Sequence, residues 1–169
     1  MSSSNPAISV LVPCYNVEKY VAECIDSILA QDFEDYEVIC LNDGSTDSTP
    51  EILHRYADKD PRIRVIDKPN SGYGASMNRG LDEARGEYIA ILESDDFMES
   101  NTLGSLYEAA KRNNARAVKA NFYFYWSKPR PRNEKNQLIG EDVPELVDPR
   151  EFHELFWYMP SIWSALYER

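Results

Sequence analysis

The sequence predicts an α/β fold, a mostly parallel β-sheet with helices on both faces. Three observations predict it. Short runs that are apolar throughout and rich in β-branched residues recur as far as residue 125, and strands of that kind are buried on both faces. The segments between them carry apolar residues at helical spacing. The two kinds of segment alternate, which is the connectivity of parallel strands joined by crossover helices.

Residues 8–13 (ISVLVP) form the first expected strand, ended by proline. Asn16 is placed to cap a helix whose stripe is Val17, Tyr20, Val21, Cys24, Ile25, Ile28 and Leu29. Residues 36–41 (YEVICL) are the second strand and 42–48 (NDGSTDS) a polar turn. Ser48, with Pro50 early in the helix and Glu51 three positions on, starts a second helix. Residues 63–66 make a short third strand, and 70–74 (NSGYG) open a helix running to about Ala84. Gly86 breaks it before a fourth strand, 88–92 (YIAIL). Asn101 is expected to cap a helix with Leu103, Leu106, Tyr107 and Ala110 inward, and 117–125 to form a further strand. Residues 128–137 (KPRPRNEKNQ) read as an exposed loop. Asp148, Pro149 and Glu151 read as another helix start, with Phe152, Leu155 and Phe156 as its apolar face. Residues 159–169 are too hydrophobic for a free tail and should pack on the rest.

Composition narrows the function. A chain of 169 residues and 19.5 kDa has room for one core. Its formal charge of −11 repels phosphate backbones, so nucleic acid is not an expected partner. An anionic nucleotide would need a local cation. Cys14, Cys24 and Cys40 show no CxxC spacing; Cys24 and Cys40 read as buried, and Cys14 as a loop residue open to exposure. A reduced, cytoplasmic setting fits. No stretch approaches the ~18 apolar residues of a membrane span, and residues 1–7 lack a signal-peptide core. Peripheral attachment at the inner membrane face is compatible with a longer protein.

Ligands in such sheets bind beyond the carboxyl ends of the strands. Three polar clusters are expected there: residues 14–16, 43–45 and 93–96. The last, Glu93-Ser94-Asp95-Asp96, places three carboxylates in four residues. Hard oxygen ligands at that spacing suit Mg²⁺ or Mn²⁺ on a diphosphate, although the same residues serve equally as an acidic turn before a helix. In Asp43-Gly44-Ser45 the glycine permits a tight turn that leaves Asp43 free to accept from a ligand; a plain turn is the simpler reading. Tyr15 can stack on a flat base or merely cover core. The 70–74 stretch can bring backbone N–H groups to phosphate at a helix start. CYNVEKY after the first strand is not GxGxxG, and there is no GxxxxGK[ST], HExxH or GxSxG. Dehydrogenases, P-loop enzymes, zinc hydrolases and serine hydrolases are disfavoured.

Jointly, SVLVPCYNVEKYVAECIDSILAQ, YEVICLNDGSTDST and NSGYGASMNRGLDEARGEYIAILESDD resemble, in order, the family 2 glycosyltransferases of the GT-A (Rossmann-like) fold. The resemblance implies an inverting transferase that moves a sugar from a nucleotide-diphospho-sugar, most commonly a UDP-sugar, to a hydroxyl on a glycan or lipid-linked acceptor, in polysaccharide or cell-surface glycan synthesis. It implies that Pro13 and Tyr15 wall a base pocket, that Asp43 accepts from the base, and that Gly72, Asn78 and Ser94 belong to the nucleotide site. Asp95 would be the main ligand of a divalent metal (Mn²⁺ or Mg²⁺), with Glu93 beside it and Asp96 near the donor sugar. Glu93 stands where the usual residue is aspartate, so its longer arm would reach the metal through water. Met77 stands where many members carry arginine, which removes one phosphate contact. On this reading residues 1–127 form a nucleotide-sugar-binding core and 128–169 begin an acceptor-side region. PSIWSALYER resembles the stretch before the acceptor-side motif, so the general base is expected beyond Arg169 and this chain to transfer little by itself. A domain that binds nucleotide sugar or metal without transferring anything is the alternative.

Overall fold

The computed structural model describes residues 5–124, 134–136, 147, 148, 150 and 164–169. Eight strands and four helices appear among them: β1 Ile8–Cys14, α1 Val21–Leu29, β2 Tyr36–Asp43, α2 Thr49–Ala57, β3 Ile63–Lys68, α3 Tyr73–Glu83, β4 Tyr88–Ile91, α4 Thr102–Asn113, β5 Ala117–Lys119, β6 Phe122–Phe124, β7 Glu134–Asn136 and β8 Ala165–Glu168. The main sheet has the order β3-β2-β1-β4-β8-β5. Strands β1 to β4 are parallel to one another, and β8 runs antiparallel between β4 and β5. Chain order reverses on either side of β1, where a ligand crevice forms in such sheets.

Every residue of β1, β2 and β4 is buried, because both faces of the sheet are covered. On one face Val10, Val12, Val38, Cys40 and Ala90 pack with α1 (Val21, Cys24, Ile25, Ile28), Leu53 of α2, and Leu103, Leu106 and Ala110 of α4. On the other, Leu11, Ile39, Leu41, Ile89 and Ile91 pack with Met77 of α3 and with Ala84. This is the mostly parallel sheet with helices on both faces that the sequence predicts. None of the described helices is long and apolar enough to cross a membrane.

The helix caps differ from expectation. Asn16 lies at φ 53°, five residues before the first residue of α1, and its Oδ1 accepts from the Thr46 N–H (2.8 Å). Ser48 precedes α2 but makes no side-chain cap; Asp47 Oδ1 accepts from Thr49 N (3.0 Å) and Glu18 Oε2 from Ser48 N (3.0 Å). Asn101 likewise precedes α4 without capping it, and the Leu103 N–H goes to Gln31 Oε1 (2.9 Å). At α1 the Tyr20 and Val21 N–H groups go to the Val17 carbonyl (2.9 and 3.0 Å). The expected strand 117–125 breaks at Ala120: β5 joins the main sheet while β6 pairs with β7, which falls inside the stretch read as a loop. Cys14 is buried at the end of β1 rather than exposed. The hydrophobic C-terminal stretch does pack, with Ala165 and Leu166 buried in β8. Asp148 accepts from Arg150 N (2.9 Å); Pro149, Glu151, Phe152, Leu155 and Phe156, and the boundary after residue 127, lie outside the described residues.

A polar network locks the amino end of the sheet. The buried Glu37 carboxylate accepts from Ser9 Oγ (2.7 Å), from Arg85 N (2.8 Å) and from the Arg85 guanidinium (2.6 Å). Gly86 then passes so close to β1 that a Cβ there would lie 2.4 Å from Ser9 N and 2.7 Å from the Ile8 carbonyl carbon. Gly86→Ala should therefore destabilise the chain by about 1–3 kcal/mol, the cost of overpacking against a backbone that cannot retreat. Gly74→Ala, whose Cβ meets nothing within 4 Å, should be neutral or stabilising. Urea unfolding of the two variants checks the difference, and equal midpoints would contradict it.

Candidate functional site

The carboxyl ends of β1 and β2, with the loop from β3 into α3, enclose a cavity of about 320 Å³ lined by Pro13, Cys14, Tyr15, Asp43, Asn70, Gly72, Tyr73 and Ser76. Strand β1 ends at Cys14, one residue past Pro13, and Tyr15, half exposed, stands at the cavity's rim. Gly44 at φ 70° makes the tight turn after β2. That turn presses on the next loop, since a Cβ on Gly44 would lie 2.7 Å from Asn70 N.

Asp43 is buried at the end of β2, and its carboxylate is engaged rather than free. It pairs with the Lys68 ammonium. Oδ1 also accepts from Ser71 N (2.8 Å), and Oδ2 from Gly72 N (2.9 Å). Burial pushes the Asp43 carboxyl up, but Lys68 and the Ser71 and Gly72 N–H groups outweigh it and hold the carboxyl below its ordinary value. A carboxylate offers about four acceptor positions. With three taken, one remains on Oδ2.

The acidic cluster lies beyond β4. Asp96 N donates to the Glu93 carbonyl (3.0 Å), closing a turn that leaves Asp95 and Asp96 exposed and Glu93 half-buried. Glu93 Oε1 accepts from the Tyr73 hydroxyl (2.7 Å). Partial desolvation, then the Asp95 and Glu93 charges, push the Asp96 carboxyl up. The like charges therefore sense one another. Among the described residues no three His, Cys, Asp or Glu side chains converge as a cage for metal. The donor chemistry fits an ion bound by one or two carboxylates that takes its other ligands from phosphate and water.

Of the residues singled out from the sequence, Pro13, Tyr15, Asp43 and Gly72 line the cavity, and Glu93 is tied to it through Tyr73. Asp95 and Asp96 occupy the adjacent turn. Asn78 is exposed on α3 and does not line the cavity. Ser94 is buried and does not line the cavity; the neighbouring Cys14 thiol donates to the Val12 carbonyl, and burial pushes it up to about 12. Lys68, Tyr73, Ser76 and Asn70 were missed. Lys68 carried a usable signal, an isolated lysine at the end of the third strand, and it pairs in register with Asp43. Tyr73 lies in the 70–74 stretch, whose reading from sequence concerns its backbone N–H groups and not this side chain.

The sheet order and the cleft at its carboxyl edge define the GT-A class of α/β proteins. The chain belongs to glycosyl transferase family 2, whose family model matches residues 9–164. It is 39% identical over 171 residues to the uncharacterized glycosyltransferase EpsJ of Bacillus subtilis, covering 97% of this chain and 48% of EpsJ. It is 41% identical over 119 residues to the glycosyltransferase GlyG of Streptococcus pneumoniae, covering 70% of this chain and 40% of GlyG. The chain thus spans about half or less of these relatives. A crystal structure of S. aureus TarS residues 1–349 superposes with a TM-score of 0.79 at 28% identity, covering 95% of this chain and 46% of TarS. TarS has also been solved with UDP-GlcNAc, at 26% identity and the same TM-score.

The depressed Asp43 carboxyl sets the sign of a pH effect. A group whose folded pKa lies below its unfolded one contributes stability above the unfolded pKa, and that contribution is lost as pH falls through the folded value. Asp43→Asn should cost about 1.5–3 kcal/mol at neutral pH, and its deficit against the parent should shrink in acid as the parent's carboxyl is protonated. Urea titrations at neutral pH and below the carboxylate range check this; a deficit independent of pH would show that the charge of Asp43 does not carry the interaction.

Proposed function

We propose that this chain is the donor-binding part of an inverting glycosyltransferase that takes its sugar from a uridine diphosphate. The observation that carries the reading is the pairing, along one sheet edge, of the Pro13–Tyr15–Asp43 cavity with the acidic turn after β4. The base would lie against Tyr15, with the open acceptor position of Asp43 toward its N3–H. That geometry suits a pyrimidine, which offers one such edge donor. The TarS complex with UDP-GlcNAc supports the same donor class. The diphosphate would run from the cavity toward Asp95, with Asp96 near the sugar.

In the proposed reaction the acceptor hydroxyl bonds to the anomeric carbon while the bond to the diphosphate oxygen breaks. The electron pair leaves on the nucleoside diphosphate, a carboxylate takes the hydroxyl proton, and the configuration inverts. A divalent ion, Mn²⁺ or Mg²⁺, would stabilise the negative charge of the leaving diphosphate. Asp95 would hold it directly, and Glu93 from further out. The net charge of −11 supports the need for such an ion, since Lys68, which reaches the cavity residues Asp43 and Ser76, is committed to Asp43. Glycan or lipid-linked hydroxyls are the proposed acceptors, at a cytoplasmic site.

Calorimetry with UDP, GDP and ADP, each in Mn²⁺ and in EDTA, tests the reading. UDP should bind best and should need the ion. Asp95→Asn should abolish the dependence on Mn²⁺, whereas Glu93→Gln should only weaken it. Equal UDP binding in EDTA and in Mn²⁺ would remove the metal from the proposal, and equal affinity for UDP and GDP would remove the role given to Asp43.

A further inference from the structure

The 2.7 Å bond from the Tyr73 hydroxyl to Glu93 Oε1 crosses between the two halves of the site. Tyr73 is the first residue of α3, and its side chain lines the cavity while remaining 45% exposed. Its backbone is fixed from the other side, because the neighbouring Gly72 N–H is held by Asp43. One residue therefore touches both the cavity that would take the base and the carboxylate that opens the acidic turn.

We infer that Tyr73 is a positioning residue for the donor site, orienting Glu93 so that the cavity and the acidic turn bind a nucleoside diphosphate and its cation as one unit. The inference rests on the donor-binding reading above and deepens it. A carboxylate swings freely about its side-chain torsions unless one oxygen is held. The phenol holds Oε1 and leaves Oε2 to face the ion or its water. A phenol carries its proton at neutral pH and is therefore a donor to the carboxylate. Hydrogen-bond partners of this outer kind commonly change metal affinity by about 10- to 100-fold when removed. Glutamate at position 93 suits the arrangement through its reach, since its side chain is one methylene longer than aspartate.

Calorimetry on the chain with uridine, with UDP in EDTA, and with Mn²⁺ added to the UDP complex tests the assignment. Tyr73→Phe keeps the ring and removes only the hydroxyl. It should lower the Mn²⁺ affinity of the UDP complex about tenfold, far more than it changes uridine affinity, because the ring that lines the cavity is kept. In a Glu93→Ala background the same substitution should add no further loss, which separates positioning through Glu93 from a general disturbance of the loop. Unchanged Mn²⁺ affinity in Tyr73→Phe, or a loss of the same size with and without Glu93, would overturn the inference while leaving donor binding intact. A parent chain that binds UDP equally in EDTA and in Mn²⁺ would sink the metal-dependent reading and this inference together.

Discussion

The site depends on how α3 is held between two carboxylates of one strand. Glu37 and Asp43 both lie on β2, an even number of residues apart, so their side chains leave the same face of the sheet. Ile39 and Leu41 lie between them on that face and pack with Met77 of α3 and with Ala84. Asp43 takes the N–H groups of Ser71 and Gly72, just before α3, and Glu37 takes the N–H and guanidinium of Arg85, just after it. The spans match. Six residues of strand cover about 20 Å, and the thirteen steps from Gly72 to Arg85 cover about 20 Å at helical rise. A negative charge at the start of a helix is also favoured by the helix dipole. Gly80, in the middle of this span, lets α3 approach, since a Cβ there would lie 2.8 Å from a Leu41 methyl.

The clamp accounts for the shape of the cleft. With α3 fixed at both ends, the loop before it cannot swing away from the turn after β2, and Gly44 allows the two backbones to touch. On the opposite face, the loops after β1 and β2 are joined by reciprocal side-chain bonds: Asn16 N to Ser45 Oγ, Thr46 N to Asn16 Oδ1, Val17 N to Thr49 Oγ1 and Glu18 N to Asp47 Oδ2. The polar residues that follow β1 and β2 thus build the rim before any ligand arrives. A rim whose groups are already bonded to one another loses little freedom on binding.

The sequence made the alternation of strands and helices legible because burial on both faces leaves uniform apolar runs, and most boundaries fall within two residues of those read. The caps were not legible. Ser48 and Asn101 are the local residues that could cap α2 and α4, but the bonds at those helix starts come from Asp47, Glu18 and Gln31, the last two distant in the chain. Spacing along a chain cannot reveal a partner thirty or seventy residues away. For the same reason Asp43 read as an open acceptor: nothing near it in sequence announces Lys68 or the N–H groups of Ser71 and Gly72. The placement of β8 between β4 and β5 is a contact of that distant kind too.

The two halves of the site stand in opposite electrostatic states. At Asp43 the charge is balanced by an ammonium and two N–H groups, which hold the carboxyl below its ordinary value. At the acidic turn, partial desolvation and the repulsion of neighbouring carboxylates raise Asp96 above its ordinary value, and Asp95 and Asp96 face solvent. The first half is complete as it stands and presents a rigid surface with one acceptor position to spare. The second is strained by like charge, and a ligand that arrived as a bare diphosphate would add to the strain. On the proposed reading a ligand arriving with a divalent cation would relieve it, because the ion would attract the carboxylates and the phosphate oxygens at once. The Tyr73–Glu93 bond already draws one of the three carboxylates into a defined position, so the repulsion falls chiefly on the exposed pair Asp95 and Asp96.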